Sequence, residues 1–281
     1  MSLFAPFLVI GAGKMGGAIL SALCSPVDSS AAESQGTFHV NPADLFVEDP
    51  GPPDEVVDLL SHLGVVAQAE VVLPAPPELV MVGVKPQMIE GVLCGLHARI
   101  GPETLVLSIA AGKTLDDLAD HLPSSTPIVR LMPNTPVMVR AGMMVMVGNG
   151  LVSEEQKAKL SQMFAPTGTV AWLDDERDMD AVTAVSGSGP AYVFWLAECL
   201  AKAGVEAGLD ETLALKLAEN TIYGAGQLMH SSEELPGVLR ENVTSKGGTT
   251  AAALEVLMAD GGLAPLIEQA VLAAKRRSEE L

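Results

Sequence analysis

The sequence predicts two domains: an α/β domain on a mostly parallel, doubly wound sheet over residues 1–175, and an all-α domain over 176–281. Three observations carry that reading. Phe7-Leu8-Val9-Ile10 runs straight into a glycine-rich turn and a small-residue helix, the opening of a strand–turn–helix unit. Strongly apolar runs recur at 79–84, 104–109 and 128–132, as strands covered on both faces require. After Asp174 the strand patterns stop and helical ones alone remain.

Taken in order, the first turn reads Gly11-Ala12-Gly13-Lys14-Met15-Gly16, which is G-x-G-x-x-G between a strand and a helix. This is the fingerprint of a Rossmann-type dinucleotide site. Gly11 allows the tight turn, Gly13 lets a pyrophosphate approach, and Gly16 lets helix and strand pack closely. Residues 25–36 are small and polar, a loop. Thr37-Phe38-His39-Val40 is read as the second strand, stopped by Asn41-Pro42. That places Asn41 where such sites often carry a ribose-binding carboxylate, and Glu48 and Asp49 too far along. A missing carboxylate removes a repulsion against a 2′-phosphate and tilts the expectation slightly toward NADP(H), though no arginine stands beside it.

Residues 54–63 repeat apolar positions at helical spacing and stop at Gly64. The strands at 79–84, 104–109 and 128–132 end in Lys85-Pro86-Gln87, Ala110-Ala111-Gly112 and Pro133-Asn134-Thr135-Pro136. Small and turn-forming residues there suit a ligand lying across the carboxyl ends of the sheet. Strands at 142–147 and 168–173 flank a helix opened by the capping box Ser153-Glu154-Glu155-Gln156. Helices follow at 179–185, 191–203, 210–229, 249–258 and 265–277. Ser186-Gly187-Ser188-Gly189-Pro190 interrupts them. The helix after it carries Tyr192, Phe194, Trp195, Leu196 and Leu200, too apolar for a solvated face, so it predicts a core or subunit interface.

Composition excludes several classes. A formal net charge of -19 argues against nucleic acid or an anionic membrane as a partner. No uninterrupted apolar run is long enough to span a membrane. Cys24, Cys94 and Cys199 form no CxxC pair and the five histidines show no ligand spacing, so neither a disulfide framework nor a metal site is expected, and the compartment reads as cytoplasmic.

The most informative stretch is Ser245-Lys246-Gly247-Gly248-Thr249-Thr250, which opens into the helix-forming run Ala251-Ala252-Ala253-Leu254. Paired glycines let backbone amides approach a ligand. Helix N-terminal donors and the dipole favour an anion there, and Thr250 adds a hydroxyl.

Five patterns thus occur in one order: residues 11–16, Val84-Lys85-Pro86, Met132-Pro133-Asn134-Thr135-Pro136, Ser186-Gly187-Ser188-Gly189-Pro190-Ala191-Tyr192, and 236–254 centred on 245–250. Together they resemble pyrroline-5-carboxylate reductase over nearly the whole chain. The resemblance implies a nicotinamide-binding Rossmann domain, a helical dimerisation domain, and obligate homodimers often assembled into decamers of five dimers. It implies that Gly11, Ala12, Gly13, Lys14, Met15 and Gly16 hold the cofactor pyrophosphate, with Asn41 beside the adenosine ribose. Val84, Lys85, Pro86, Ala110 and Ala111 then line the nicotinamide half, and Glu176 lies near the cofactor. Asn242, Gly247, Gly248, Thr249 and Thr250 are implied to hold the substrate, Δ1-pyrroline-5-carboxylate, with Thr250 catalytic. The implied cofactor is NADPH, with NADH possible. Two departures stand out: Lys246 occupies a place often held by proline, and residues 69–78, with Pro74-Ala75-Pro76-Pro77, carry no implied site residue.

Reducing a C=N bond needs a hydride and a proton on nitrogen; the cofactor carries the first, so the chain must position and stabilise charge. The expected arrangement rests the substrate carboxylate on the amides of Gly248 and Thr249 and directs the Thr250 hydroxyl to the ring nitrogen. The rival enzyme reading is a β-hydroxyacid dehydrogenase or general imine reductase, which would use Lys216 and Asn220, spaced one helical turn apart. A nucleotide-sensing or pyridoxal-type binding protein that has kept the fold and lost the reaction is the non-enzyme alternative.

Overall fold

The computed structural model describes residues 2–24 and 40–281. Its first elements are β1 (Phe7–Ile10), four buried apolar residues, and α1 (Lys14–Cys24). β2 (Leu45–Glu48) and α2 (Asp54–His62) follow, then β3 (Leu79–Val82), α3 (Ile89–Leu96), β4 (Leu105–Ser108), α4 (Leu115–Ala119) and β5 (Ile128–Met132). β6 (Gly142–Gly148), α5 (Glu154–Phe164) and β7 (Gly168–Trp172) complete the α/β part. α6 (Met179–Val182) runs into a π-helical turn at Thr183–Gly187. The other helices are α7 (Gly189–Glu206), α8 (Glu211–Ser231), α9 (Pro236–Asn242), α10 (Thr249–Leu257) and α11 (Leu263–Glu279).

The strands form one sheet in the order β2-β1-β3-β4-β5-β6-β7, parallel at every pairing except β5–β6. Side chains alternate across a strand, so each apolar run feeds two cores. Phe7, Val9, Leu79, Met81, Leu105 and Leu107 pack with Ile19 and Leu20 of α1, Leu60 of α2 and Phe164 of α5. Leu8, Val80, Val82 and Val106 pack with Ile89, Leu93 and Leu96 of α3 and Leu118 of α4. Each such side chain contributes roughly 1.5–3 kcal/mol by leaving water, which is why apolar residues dominate these strands.

The helix starts follow local chemistry. Ser153 and Gln156 cap α5 reciprocally, as the sequence predicts. Thr114 and Asp117 do the same for α4, a helix absent from the sequence reading; bonds from the Thr114 amide and hydroxyl hold the Asp117 carboxyl below its usual range. Gly64 ends α2 with φ +70°, the left-handed stop expected of it.

The second strand requires a correction. Of the expected strand at 37–40, residues 37–39 lie outside the described residues, and Val40 belongs to no strand. β2 is Leu45–Glu48, paired with β1 from Phe7↔Leu45 to Ile10↔Glu48. Asn41 and Pro42, read as the stop after a strand, instead make the turn before one. The Asn41 Oδ1 accepts the Ala43 amide at 3.1 Å and caps a 3-10 turn at Pro42–Asp44.

Two compact units divide the chain, the first reaching Gly187 and including Arg276–Leu281, the second Ser188–Lys275. This division by compactness lies about a dozen residues beyond the expected one at 175. Residues 176–187 stay with the sheet because the Glu176 carboxylate receives the Leu115 amide at 2.8 Å and because Met179 is buried in the second core. The chain end returns to the same unit, with Ser278 Oγ donating to Asp180 Oδ1 at 2.6 Å. In the helical unit α7 and α8 pack together, yet Ala214 and Ala218 are its buried apolar residues among those described, while Phe194 and Trp195 are 63% and 58% exposed. Such a unit has no core of its own and needs a partner surface. Among the described residues no helix is long and apolar enough to cross a membrane, and no group of three or more His, Cys, Asp or Glu could hold a metal.

Candidate active site

The sheet order reverses between β1 and β3: β2 lies on one side of β1 and the later strands on the other. At such a switch point the loops at the strand ends part and leave a crevice. Gly11 lies at its floor with φ +87°, and a Cβ there would stand 2.8 Å from the backbone of Gly83 and Val84. Gly83 in turn donates its amide to Ile10 O at 2.7 Å, so two glycines allow the loops after β1 and β3 to touch. A Cβ on Gly16 would meet Gly11 O at 2.5 Å, which is why α1 can start so close to the turn. Gly13 has nothing within 4 Å of its would-be Cβ and faces open space. The first-turn amides of α1 have no intrahelical acceptor by construction. An open approach over Gly13 to those amides fits a pyrophosphate, with Ala12, Lys14 and Met15 completing the loop.

The structure places the other predicted cofactor residues as follows. Val84, Lys85 and Pro86 follow β3 at the crevice, Lys85 exposed and preceding the 3-10 turn Pro86–Met88. Ala110 and Ala111 follow β4 on the same edge, where β4 lies beside β3. The Glu176 carboxylate is taken by protein groups: its Oε1 accepts from the Arg130 guanidinium and from the Leu115 amide. It braces β5 to the start of α4.

Asn41 does not belong to this crevice. It precedes β2, at the amino edge of the parallel sheet, where its amide donates to Ser2 Oγ at 3.1 Å. The residues at the carboxyl end of β2 are Glu48 and Asp49, which the sequence reading set aside. Glu48 is buried and held by both terminal nitrogens of Arg99, at 2.6 and 3.0 Å, and by the Val71 amide at 2.8 Å. Asp49 is half-buried; its Oδ2 accepts the Ala12 amide at 2.8 Å and its Oδ1 the Gly51 amide at 2.9 Å. It therefore touches the glycine turn directly. The signal that could have found it is spacing: five residues separate β2 from α2, an ordinary strand-to-helix connection, against thirteen from a strand ending at residue 40.

The predicted substrate residues lie in the second unit. Asn242 ends α9, and six residues separate it from α10, which begins at Thr249. Gly247 takes φ +71°, a left-handed backbone that favours glycine, and a Cβ on Gly248 would meet Ser245 Oγ at 2.4 Å, a hydroxyl able to turn aside. Gly248 is the N-cap and no side chain caps the helix. The Gly248 amide donates to Ser245 O at 3.0 Å, and the helix ladder starts with Ala252 to Gly248 O. The amides of Thr249, Thr250 and Ala251 are left as the first-turn donors, one step further along than the expected Gly248–Thr249 pair. Asn242 Nδ2 donates to Glu234 Oε2 at 3.1 Å, which orients it at the end of α9. Lys216 and Asn220, the rival pair, are exposed on α8, and Asn220 Nδ2 turns back onto Lys216 O at 2.8 Å.

Residues 176–281 match the family described as pyrroline-5-carboxylate reductase dimerisation. The pyrroline-5-carboxylate reductase of Pseudomonas aeruginosa is 38% identical over 273 residues, 97% of this chain and 95% of that one. That of Synechocystis is 45% identical over 204 residues, covering 73% of this chain and 75% of the relative. Among solved structures, the pyrroline-5-carboxylate reductase of Coxiella burnetii superposes with TM-score 0.86 at 31% identity over 98% of both chains. The Plasmodium falciparum pyrroline carboxylate reductase with NADP bound gives 0.77 at 26% identity, covering 100% of this chain and 99% of that one. With a dinucleotide crevice in one unit and a glycine-opened, uncapped helix start in the other, the chain belongs to the pyrroline-5-carboxylate reductase family.

Proposed function

We propose that this chain reduces the C=N bond of Δ1-pyrroline-5-carboxylate to proline at the expense of NAD(P)H, the last step of proline biosynthesis. The observation that carries the reading is the start of α10: a left-handed Gly247, a Gly248 packed on Ser245, and first-turn amides beside Thr250 that no side chain caps. When bound, the nicotinamide supplies the hydride. The chain supplies position and charge. The amides of Thr249, Thr250 and Ala251 receive the substrate carboxylate at the positive end of the helix dipole. The Thr250 hydroxyl hydrogen-bonds the ring nitrogen, and the proton that nitrogen takes up comes from solvent. Asn242, oriented by Glu234 at the end of α9, adds a further polar contact to the substrate. On the cofactor side Gly11, Ala12, Gly13, Lys14, Met15 and Gly16 hold the pyrophosphate, and Val84, Lys85, Pro86, Ala110 and Ala111 line the nicotinamide half. Glu176 acts behind them as a brace on Arg130.

The enzyme is a homo-oligomer whose exposed α7 face is covered by a second copy, five such dimers forming the full assembly, and it acts in the cytoplasm. The apolar exposure of Phe194 and Trp195 supports the dimer. The test is Thr250→Ala. It should lower kcat/KM for the imine about 10–1000-fold, the scale on which one polarising group acts, with the dissociation constant for reduced nicotinamide unchanged. Unchanged turnover would remove Thr250 from the reaction.

A further inference from the structure

The end of β2 is where a dinucleotide site of this geometry meets the adenosine ribose. Glu48 and Asp49 occupy it. Glu48 is buried and neutralised by Arg99, the one base that reaches this strand end among the described contacts. Asp49 remains half-buried with one bond on each oxygen, to the Ala12 and Gly51 amides. A carboxylate oxygen accepts up to two hydrogen bonds, so both oxygens keep acceptor capacity for a ribose hydroxyl. The surrounding chain supplies no cation to balance a phosphate. Between Lys14 and Lys85 there is no lysine or arginine, while ten aspartates and glutamates occur. Lys14 itself belongs to the pyrophosphate turn.

We propose that Asp49 makes this chain selective for NADH over NADPH. The inference rests on the reductase reading above. Its carboxylate accepts a hydrogen bond from the 2′-hydroxyl of NADH. In NADPH the same position carries a phosphate of charge between -1.5 and -2 or so, set against a fixed carboxylate with no guanidinium to separate them. Like charges in contact at a half-buried site disfavour binding by about 30-fold or more. The earlier expectation from Asn41 pointed the other way because it put the wrong residue at the strand end.

The test is equilibrium binding, read by ligand fluorescence for NADH and NADPH and by calorimetry for ADP-ribose and its 2′-phosphorylated form. The unmodified chain should bind NADH and ADP-ribose about 30-fold more tightly than their 2′-phosphorylated counterparts. Asp49→Asn should weaken NADH and tighten NADPH, so the ratio falls at least tenfold. A residue that only braced the glycine turn would weaken both ligands alike, and that result would overturn the assignment. Pro50→Arg, at an exposed neighbouring position, should tighten NADPH binding whether or not Asp49→Asn folds well. Equal or tighter binding of NADPH by the unmodified chain would overturn the proposal while leaving the reductase reading intact. Failure of all four ligands to bind would instead remove the dinucleotide site itself.

Discussion

Gly11 and Gly13, two positions apart in the first turn, should answer differently to the same substitution. Gly13→Ala adds a methyl where the structure has nothing within 4 Å. Its backbone is outside the left-handed region, so the fold should keep its stability to within about 1 kcal/mol, and alanine there can even stabilise by restricting the unfolded chain. The ligand, however, must bring a phosphate oxygen to about 2.9 Å from the loop amides. A methyl in that approach displaces it and weakens charge-assisted bonds each contributing roughly 1.5–3 kcal/mol. The dissociation constant for NADH should rise about 10–150-fold. Gly11→Ala puts the same methyl 2.8 Å from the Gly83 and Val84 backbone, at φ +87°. The left-handed backbone alone costs about 1–2 kcal/mol, and the overlap with backbone atoms cannot be relieved by a rotamer. This variant should lose about 2–4 kcal/mol of stability as well as cofactor affinity. Thermal unfolding at one fixed protein concentration and fluorescence titration of NADH read both quantities on both variants. A folded Gly13→Ala that binds NADH with unchanged affinity would refute the placement of the pyrophosphate on this turn.

Two further outcomes follow from other parts of the molecule. Glu176→Gln leaves the mostly buried Arg130 guanidinium without its carboxylate; at the partial exposure of the pair this should cost about 2–3 kcal/mol, seen as a lower denaturant midpoint, with the NADH dissociation constant changed less than twofold. A large loss of NADH affinity with stability intact would put Glu176 on the cofactor instead. Burial pushes the Cys24 thiol up to about 12, from an ordinary 9.0. At pH 8 a thiol reagent should therefore label exposed Cys94 and leave Cys24 untouched until the chain unfolds. Between about pH 9 and 12 the unfolded chain ionises at Cys24 and the folded one does not, so stability should fall by up to about 1.4 kcal/mol per pH unit. Labelling of Cys24 as fast as Cys94 at pH 8 would show that it is not sealed.

Much of this was legible because the demands are local. A strand covered on both faces must be mostly apolar, so β1, β3, β4 and β5 stand out at their true places. Gly64 and the Ser153–Gln156 box mark helix ends through their own backbone needs. The same holds for residue 247, whose left-handed φ leaves glycine as the residue that fits. β2 failed this test. Phe38 with Val40, and Leu45 with Val47, offer two equally apolar short runs, and only pairing with β1 decides between them. The α4 start was missed because a five-residue helix carries too little periodicity to be seen.

The site residues divide along the same line. Glu176 reads as an acid close to the sheet, but its role is set by Leu115 and Arg130, 61 and 46 residues away. Asp49 meets Ala12 across 37 residues, and that bond exists only once β2 has paired with β1 in one register. Shift that register by eight residues and a carboxylate becomes a carboxamide, and the inferred cofactor changes with it. Connection length would have chosen correctly, because α2 follows Glu48 by five residues in a sheet whose other strand-to-helix turns are similarly short. Cofactor choice in this chain therefore rests less on any motif than on which four-residue stretch becomes the edge strand.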